Sequence, residues 1–409
     1  MEEYLKAPLS APPKTEIHGH YTGEAGPLFK LTAITSLLTL FTLGFYRFWG
    51  RTRIRRYIWS SSTLQGDAFQ YTGNGLEKLL GFLVAVIILA FALGAIQIGL
   101  FFFNLSFFSP TESNFDFELQ LLAAQASLIF LAPLFFLARY RSMRYKLSRT
   151  RWRGVRFGME NAGWAYAWRG LGLTLLTFLT LGLMLPYQTF KLTKFRTDRT
   201  WFGNAQMGLD GRWTSLYGSM RHLFFGAILL VGGSVVAGFV GYGSGVLVPI
   251  IGAIVGYVWL VVGFIYYRVD TFRRLTGMTT LDEDVGFAAQ LNAGSVVWQI
   301  LGGGFVVSLI YGAILGAVTW ILIGNFDPAE ATGEFQFLLV ALNTLAVLVA
   351  LLLTSAVSMV MIVQPIIRQV VNGITVTNPE ALNRIRQRAE DEQVDADGLA
   401  DALDFGGAI

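Results

Sequence analysis

From His222 to Tyr267 the chain carries no Asp, Glu, Lys or Arg. A helix crosses a bilayer in about 20 apolar residues. This run is long enough for two crossings, and Gly241-Tyr242-Gly243-Ser244-Gly245 supplies the tip between them. Comparable runs lie at Leu79–Phe103, Leu119–Ala138, Ser295–Ile323 and Phe335–Ile367. Backbone polar groups in hydrocarbon must be satisfied internally, which leaves helices and closed barrels. A membrane barrel would show alternating segments of about ten residues, and these unbroken runs do not. Only 14% of the 409 residues are charged, against about 25% in soluble domains. The expected fold is therefore an all-α polytopic membrane protein.

Charge then sets the topology. The runs pair into three transmembrane helical hairpins. Their tips hold acidic residues or none: Glu112 and Asp116 in the first, Asp327, Glu330 and Glu334 in the third. Their other ends run into arginine and lysine, as at Arg139–Arg156, Arg268–Arg274 and Arg368. Basic loops stay on the cytosolic side, so both termini are expected in the cytosol. The net charge of +4 reads as topology, with no nucleic-acid partner implied.

Two further apolar stretches do not fit as spans. Leu37-Leu38-Thr39-Leu40-Phe41-Thr42-Leu43-Gly44 and Leu175-Leu176-Thr177-Phe178-Leu179-Thr180-Leu181-Gly182 agree at six of eight positions. The loops on both sides of the second are strongly basic, Arg139–Arg169 and Lys191–Arg221. A spanning helix would send one of them outside, against the charge rule. Both are read as repeated Thr-Leu-Gly broken segments, re-entrant or interfacial, with Gly44 and Gly182 at the break because glycine accepts positive φ. An ordinary spanning helix is the alternative, above all for the second.

On the cytosolic side, Thr63–Tyr71, Thr150–Phe157, Thr200–Met207, Thr279–Phe287 and Gly373–Thr377 are rich in Thr, Trp, Phe and Val, a β-forming composition. They are expected as short cytosolic β-strands, paired into a small sheet or lying separately as loops. The chain divides into a flexible cytosolic arm (1–26), a first membrane repeat (27–138), a second (139–267), a third hairpin unit (268–377) and an acidic cytosolic tail (378–409).

Catalytic patterns are lacking. There is no His-Glu-x-x-His, no phosphate-binding loop and no nucleophile elbow. With no cysteine there is no thiolate site, and His18 with His20 is two ligands where a metal needs three or four. No cofactor is expected and no enzyme activity. Gly252 and Gly256, and Gly312 and Gly316, are small-xxx-small pairs suited to helix packing. Glu77 and Lys78 read as a surface pair. The basic residues have a plain account as topology and headgroup contacts. The sharper account is a site for anionic lipid or another anionic ligand, using Arg53, Arg56, Arg144, Arg153, Lys194 and Arg199, with Trp49, Trp59, Trp152 and Trp201 at the interface.

Thr42-Leu43-Gly44, the aromatics Tyr46 and Trp49, Arg53-Ile54-Arg55-Arg56-Tyr57 and Leu64-Gln65-Gly66-Asp67-Ala68-Phe69-Gln70-Tyr71 form a composite motif. With the tail Gly398–Phe405 it resembles the YjgN-like family of bacterial inner-membrane proteins of unknown function. The resemblance implies a bacterial inner-membrane location and no known reaction. It also hints at a membrane-associated metallopeptidase as partner. The expected function is a non-enzymatic scaffold or anionic-lipid-interacting partner protein, with a transporter or channel for a small or lipid-like substrate as the alternative.

Overall fold

The computed structural model describes residues 16–110, 113–240, 247–325 and 333–388. In chain order the elements are β1 (Glu16–Tyr21), α1 (Ala25–Phe41), α2 (Arg47–Ser60), β2 (Ser62–Leu64), β3 (Asp67–Tyr71), α3 (Gly75–Phe101) and α4 (Asn114–Ser148). There follow β4 (Thr150–Trp152), β5 (Val155–Met159), α5 (Gly163–Leu179), α6 (Leu185–Thr197), β6 (Thr200–Phe202) and β7 (Ala205–Leu209). A 3-10 turn (Trp213–Met220) leads to α7 (Arg221–Val240), α8 (Leu247–Thr276), β8 (Thr279–Leu281), β9 (Val285–Ala289) and α9 (Ala293–Asn325). Last come α10 (Gly333–Ser358), a π-helical turn (Met359–Val363), α11 (Gln364–Gly373), β10 (Ile374–Thr377) and a 3-10 turn (Pro379–Arg384).

Among the described residues, six helices have the length and apolarity to cross a membrane: Gly75–Phe101, Asn114–Ser148, Trp213–Phe239, Leu247–Thr276, Ala293–Ile321 and Phe337–Gly373. They are the six expected from charge and hydropathy. The expectation of an all-α fold needs correcting, however. The ten strands close into one antiparallel barrel, in the order β1-β10-β9-β8-β7-β6-β5-β4-β3-β2. Four of the strand-like stretches are each a whole hairpin, not one strand. Gln65-Gly66 and Arg153-Gly154 turn with positive φ at both residues, the geometry that matches strand twist in two-residue hairpins.

The expectation of a flexible arm over residues 1–26 changes for residues 16–26, residues 1–15 lying outside the described residues. Glu16–Tyr21 is the strand that closes the barrel, pairing Ile17 with Val376 and Gly19 with Leu64. Gly19 and Tyr21 are buried and Ile17 half-buried, while Glu16, His18 and His20 face out. That period-two alternation fixes register. The two histidines thus lie on the outer face, with His18 Nδ1 3.2 Å from Thr375 Oγ1. The divisions at 138 and 267 are bridged in the same way, by β3 against β4 and β7 against β8.

Five times the chain leaves the barrel, forms a helical pair and returns to the neighbouring strand. One backbone bond clamps the base of each excursion: Thr22 N–H to Ser61 O (2.8 Å), Thr72 to Arg149 (2.8 Å), Glu160 to Arg199 (3.0 Å), Asp210 to Met278 (3.0 Å) and Gln290 to Gly373 (2.8 Å). A hydroxyl then closes four of the five returning helices. Ser62 donates to Ile58 O, Thr150 to Lys146 O, Thr200 to Arg196 O and Thr279 to Leu275 O, all at 2.8–2.9 Å. Each donates to a carbonyl in the last turn of the helix, where partners run out; Arg196 O and Leu275 O also accept a backbone N–H, from Arg199 and Met278.

Inside the barrel Trp152, Phe202, Ala205, Leu281, Val285 and Val376 pack together, and Leu382 from the last 3-10 turn joins them. The interior is a filled apolar core. Above it the helices follow one another round a ring, each pair beside the next, and α10 closes the ring against α1. At the α7–α8 contact, glycines let the backbones meet. A Cβ on Gly226, Gly233 or Gly263 would sit 2.6–2.7 Å from backbone atoms of the facing helix. Gly256 lies against Leu230 in the same seam. Gly252, Gly312 and Gly316 face open space. Close packing within the chain therefore follows the seven-residue spacing of Gly256 and Gly263, not the four-residue pairs. Lys78 is no surface residue: it is 2% exposed, its ammonium 5.2 Å from the Tyr71 ring and 5.9 Å from the Tyr145 ring. Its neighbour Glu77 accepts from the Tyr145 hydroxyl at 2.8 Å and pairs with Arg149 at 3.1 Å.

Candidate functional site: a basic cleft beside a broken helix pair

The Thr-Leu-Gly segments form tight turns between two short helices. At the second, Thr180 Oγ1 donates to Leu176 O at 2.8 Å and accepts from the Met184 N–H at 3.2 Å. Leu181 and Gly182 follow with φ of 50° and 89°, and Gly182 N–H reaches back to Thr177 O at 2.7 Å. At the first, Thr42 Oγ1 bridges Leu38 O and the Tyr46 N–H, and Leu43 and Gly44 take φ of 49° and 94°. The break therefore needs two left-handed residues, and glycine supplies only one. The leucines stand at the tips, 91% and 94% exposed.

Below the second tip, α5 and α6 enclose a cleft of about 520 Å³. Arg169 enters from α5, Lys191 and Lys194 from α6, and Arg199 from the turn after it. Phe195 lies between two guanidiniums, with Arg199 3.8 Å and Arg169 4.7 Å from its ring centroid. The Lys191 ammonium is 5.5 Å over Tyr187. Acidic partners sit at the barrel end: Asp198 3.3 Å and Asp210 3.4 Å from Lys194, and Glu160 3.7 Å from Arg199. Lys194 also donates to Leu209 O. These pairs are substantially exposed, so each is worth about 1 kcal/mol or less. At 1.5 Å per residue, Lys191 lies roughly 9 Å along α6 from Leu185, and Arg169 roughly 15 Å along α5 from Leu179. The cations thus lie roughly two to three helical turns from the tip, towards the barrel.

The sequence-derived site residues do not form one pocket. Lys194 and Arg199 meet in this cleft. Arg53 is exposed on α2 with its guanidinium 5.6 Å over Tyr46, and Arg56 donates to Gly73 O at 3.4 Å. Arg144 Nε donates to Met159 O at 3.2 Å. Arg153 is at a hairpin turn on the far end of the barrel, paired with Asp67 and bonded to Gln65 (2.9 Å) and Asn383 (3.2 Å). Trp49 stacks on Tyr46 and abuts Gly75. Trp59 donates to Thr150 Oγ1 at 3.0 Å. Trp152 is in the barrel core, and Trp201 carries the Arg388 guanidinium 4.8 Å above its ring. Arg169, Lys191, Tyr187 and Phe195 are the members that sequence reasoning missed. The signal for the α6 members was Lys191, Lys194, Phe195 and Asp198 recurring at three or four residues, which puts them on one helix face.

No solved structure matches the chain. The inner membrane protein YjgN of Salmonella typhimurium is 34% identical over 85 residues, 20% of this chain and 22% of the relative. The matched part thus spans about a fifth of that relative's length. The family of bacterial proteins of unknown function DUF898 matches residues 16–312, from the closing strand of the barrel into α9, and the chain belongs to that family.

Proposed function

We propose that this protein is a non-enzymatic component of the bacterial inner membrane that holds anionic lipid at its cytosolic face and presents the barrel to a partner. The relative's inner-membrane name and the charge asymmetry of the loops support the location, with both termini cytosolic. β1 and β2 are hydrogen-bonded neighbours, as are β5 and β6. A helix pair that starts and ends at adjacent strands of one barrel enters and leaves on one side, which supports reading α1–α2 and α5–α6 as non-spanning, re-entrant or interfacial. A metallopeptidase partner rests on the family resemblance alone. The observation that carries the lipid reading is the convergence of Arg169, Lys191, Lys194 and Arg199 in one groove, with two of the guanidiniums against the Phe195 ring. Clustered basic groups at the cytosolic interface bind anionic headgroups, each worth about 1 kcal/mol. Lys191→Gln with Arg199→Gln should therefore lower retention of phosphatidylglycerol by roughly tenfold or more. Native mass spectrometry of the protein released from mixed phosphatidylglycerol–phosphatidylcholine nanodiscs reads this directly. Equal retention in parent and variant would rule the cleft out. A transporter would have to pass its substrate between helices, since apolar side chains fill the barrel.

A further inference from the structure

The hairpin turns at 65–66, 153–154, 203–204 and 282–284 all lie at the end of the barrel away from the helices. β10 also ends there, at Thr377. From 378 to 388 the chain crosses that end as a strap. Asn378 starts it with a left-handed φ of 59° and donates from Nδ2 to Asp284 O at 3.3 Å. Leu382 drops into the barrel core and is 7% exposed, with Ala381 and Ile385 packed against the same core. Arg153 Nη1 donates to Asn383 Oδ1 at 3.2 Å. Asn204 grips the Arg386 backbone twice. The Arg386 N–H donates to Asn204 Oδ1 at 2.8 Å, and the Arg386 carbonyl accepts from the Asn204 N–H at 3.0 Å. The Arg156 N–H donates to Gln387 Oε1 at 2.8 Å. Gly203 makes room for this approach, since a Cβ there would collide with Arg386 O.

The seat recognises a short pattern. It takes a leucine at 382 and side-chain carbonyls at 383 and 387, and at 386 it holds backbone alone. That is Leu-Asn-x-x-x-Gln, an apolar anchor in a pocket with a polar rim, the usual anatomy of a binding hot spot. The strap is also built to leave. Barrel closure does not depend on it, because β10 completes its pairings with β1 and β9 at Thr377. The bonds of Asn378, Asn383, Arg386 and Gln387 are all exposed, so water replaces them at little net cost. A segment held in this way opens locally while the rest stays folded.

We propose that this end of the barrel is a peptide-docking site, occupied by the chain's own strap and open, by exchange, to a partner segment of the pattern Leu-Asn-x-x-x-Gln. The proposal rests on the reading that the barrel meets a partner, and it names the surface that does so. It is independent of the basic cleft.

The probe is a fluorescent synthetic peptide of residues 377–388, titrated against the full chain in detergent and followed by anisotropy. In the parent the strap competes and binding is weak. Leu382→Asp in the chain expels the strap, since a charge in the apolar seat is costly, and peptide affinity should rise about tenfold or more. The peptide carrying Leu382→Asp should lose that affinity. Adding Asn204→Ala to the Leu382→Asp chain removes a two-bond grip and should weaken binding about tenfold. No gain in binding by a Leu382→Asp chain that keeps the parent's unfolding temperature would overturn the proposal. So would equal binding of the two peptides. Should Leu382→Asp unfold, the chain with Asn383→Ala and Gln387→Ala decides: its strap is loosened at exposed positions only, and peptide binding no stronger than the parent's would overturn the site. Because the probe is a peptide, a seat that binds it while no protein partner exists in cells would sink the partner reading and not the seat.

Discussion

A leucine with positive φ is uncommon, because its Cβ crowds the preceding backbone. Two of them at matching places, Leu43 and Leu181, mark what each turn must do. Glycine in both left-handed positions would relieve strain but leave nothing apolar at the tip. Leucine accepts a backbone cost of about 1–3 kcal/mol at the place where the side chain is most exposed and, in a re-entrant pair, meets lipid. The threonine before it ties the turn together, since one hydroxyl serves both a carbonyl in the last turn of one helix and an amide at the start of the next. Thr180→Val keeps the shape and removes both bonds. It leaves an amide unpaired at a site with little water, so a loss of about 1–3 kcal/mol is expected, read as a lower unfolding temperature in detergent. Leu181→Gly should act oppositely: stability in detergent holds or rises, while protection of the tip by the bilayer against aqueous reagents falls. Thr-Leu-Gly is visible as a break in the sequence. That the leucine, not only Gly182, takes the left-handed position is not, because local sequence gives no reason to place strain on a residue with a side chain.

The hairpins show the same limit at the level of elements. Thr150–Phe157 and Thr200–Met207 read correctly as β structure. Their arms are only three to five residues long, too short for a period-two pattern to separate two strands from one. The hydroxyl that follows four of the returning helices, as in Thr150 and Thr200, is a more dependable sign, since it has a fixed task on the carbonyl four residues back. β1 escaped altogether. Gly19 interrupts its alternation, and its partner Val376 lies at the other end of the chain, where no local pattern can point. Its energetic role follows from closure. Without β1, β2 and β10 both become open edges, and Ile17 no longer covers the aromatic core. A chain begun after Tyr21 should still insert its six long helices, because their apolar runs are intact. Its barrel should be cut rapidly by protease at the hairpin turns near Gly66 and Gly154, whereas the full chain resists. Equal resistance in both chains would show that β1 is dispensable.

At the scale of the molecule, the barrel and the membrane constrain each other. Every helical excursion begins and ends at adjacent strands, so each must cross an even number of times or not at all. Six long helices fit this as three pairs, and the two short pairs fit it without crossing. The charge pattern points the same way: loops flanking the second short pair are basic on both sides, and a crossing would strand one outside. Sequence could not supply the reason, which is that the loops are joined by strand pairing. The basic cleft was legible in part for the same cause. Lys194 and Arg199 are five residues apart at the end of α6 and in the turn after it, whereas Arg169 arrives from another helix across the Thr-Leu-Gly break. The topology can be tested sharply because the chain has no native cysteine. Single cysteines at Gln65, Gln206 and Glu283 lie on the barrel, and one at Asn104 lies at the opposite end of α3. In intact cells an impermeant maleimide should label Asn104→Cys alone. In inverted membrane vesicles it should label the three barrel positions and leave Asn104→Cys unmodified. Leu181→Cys should resist it from both sides until detergent is added. If Gln65→Cys and Gln206→Cys labelled from opposite sides, the two halves of the barrel could not coexist in one membrane, and the re-entrant reading would fall with the closed barrel.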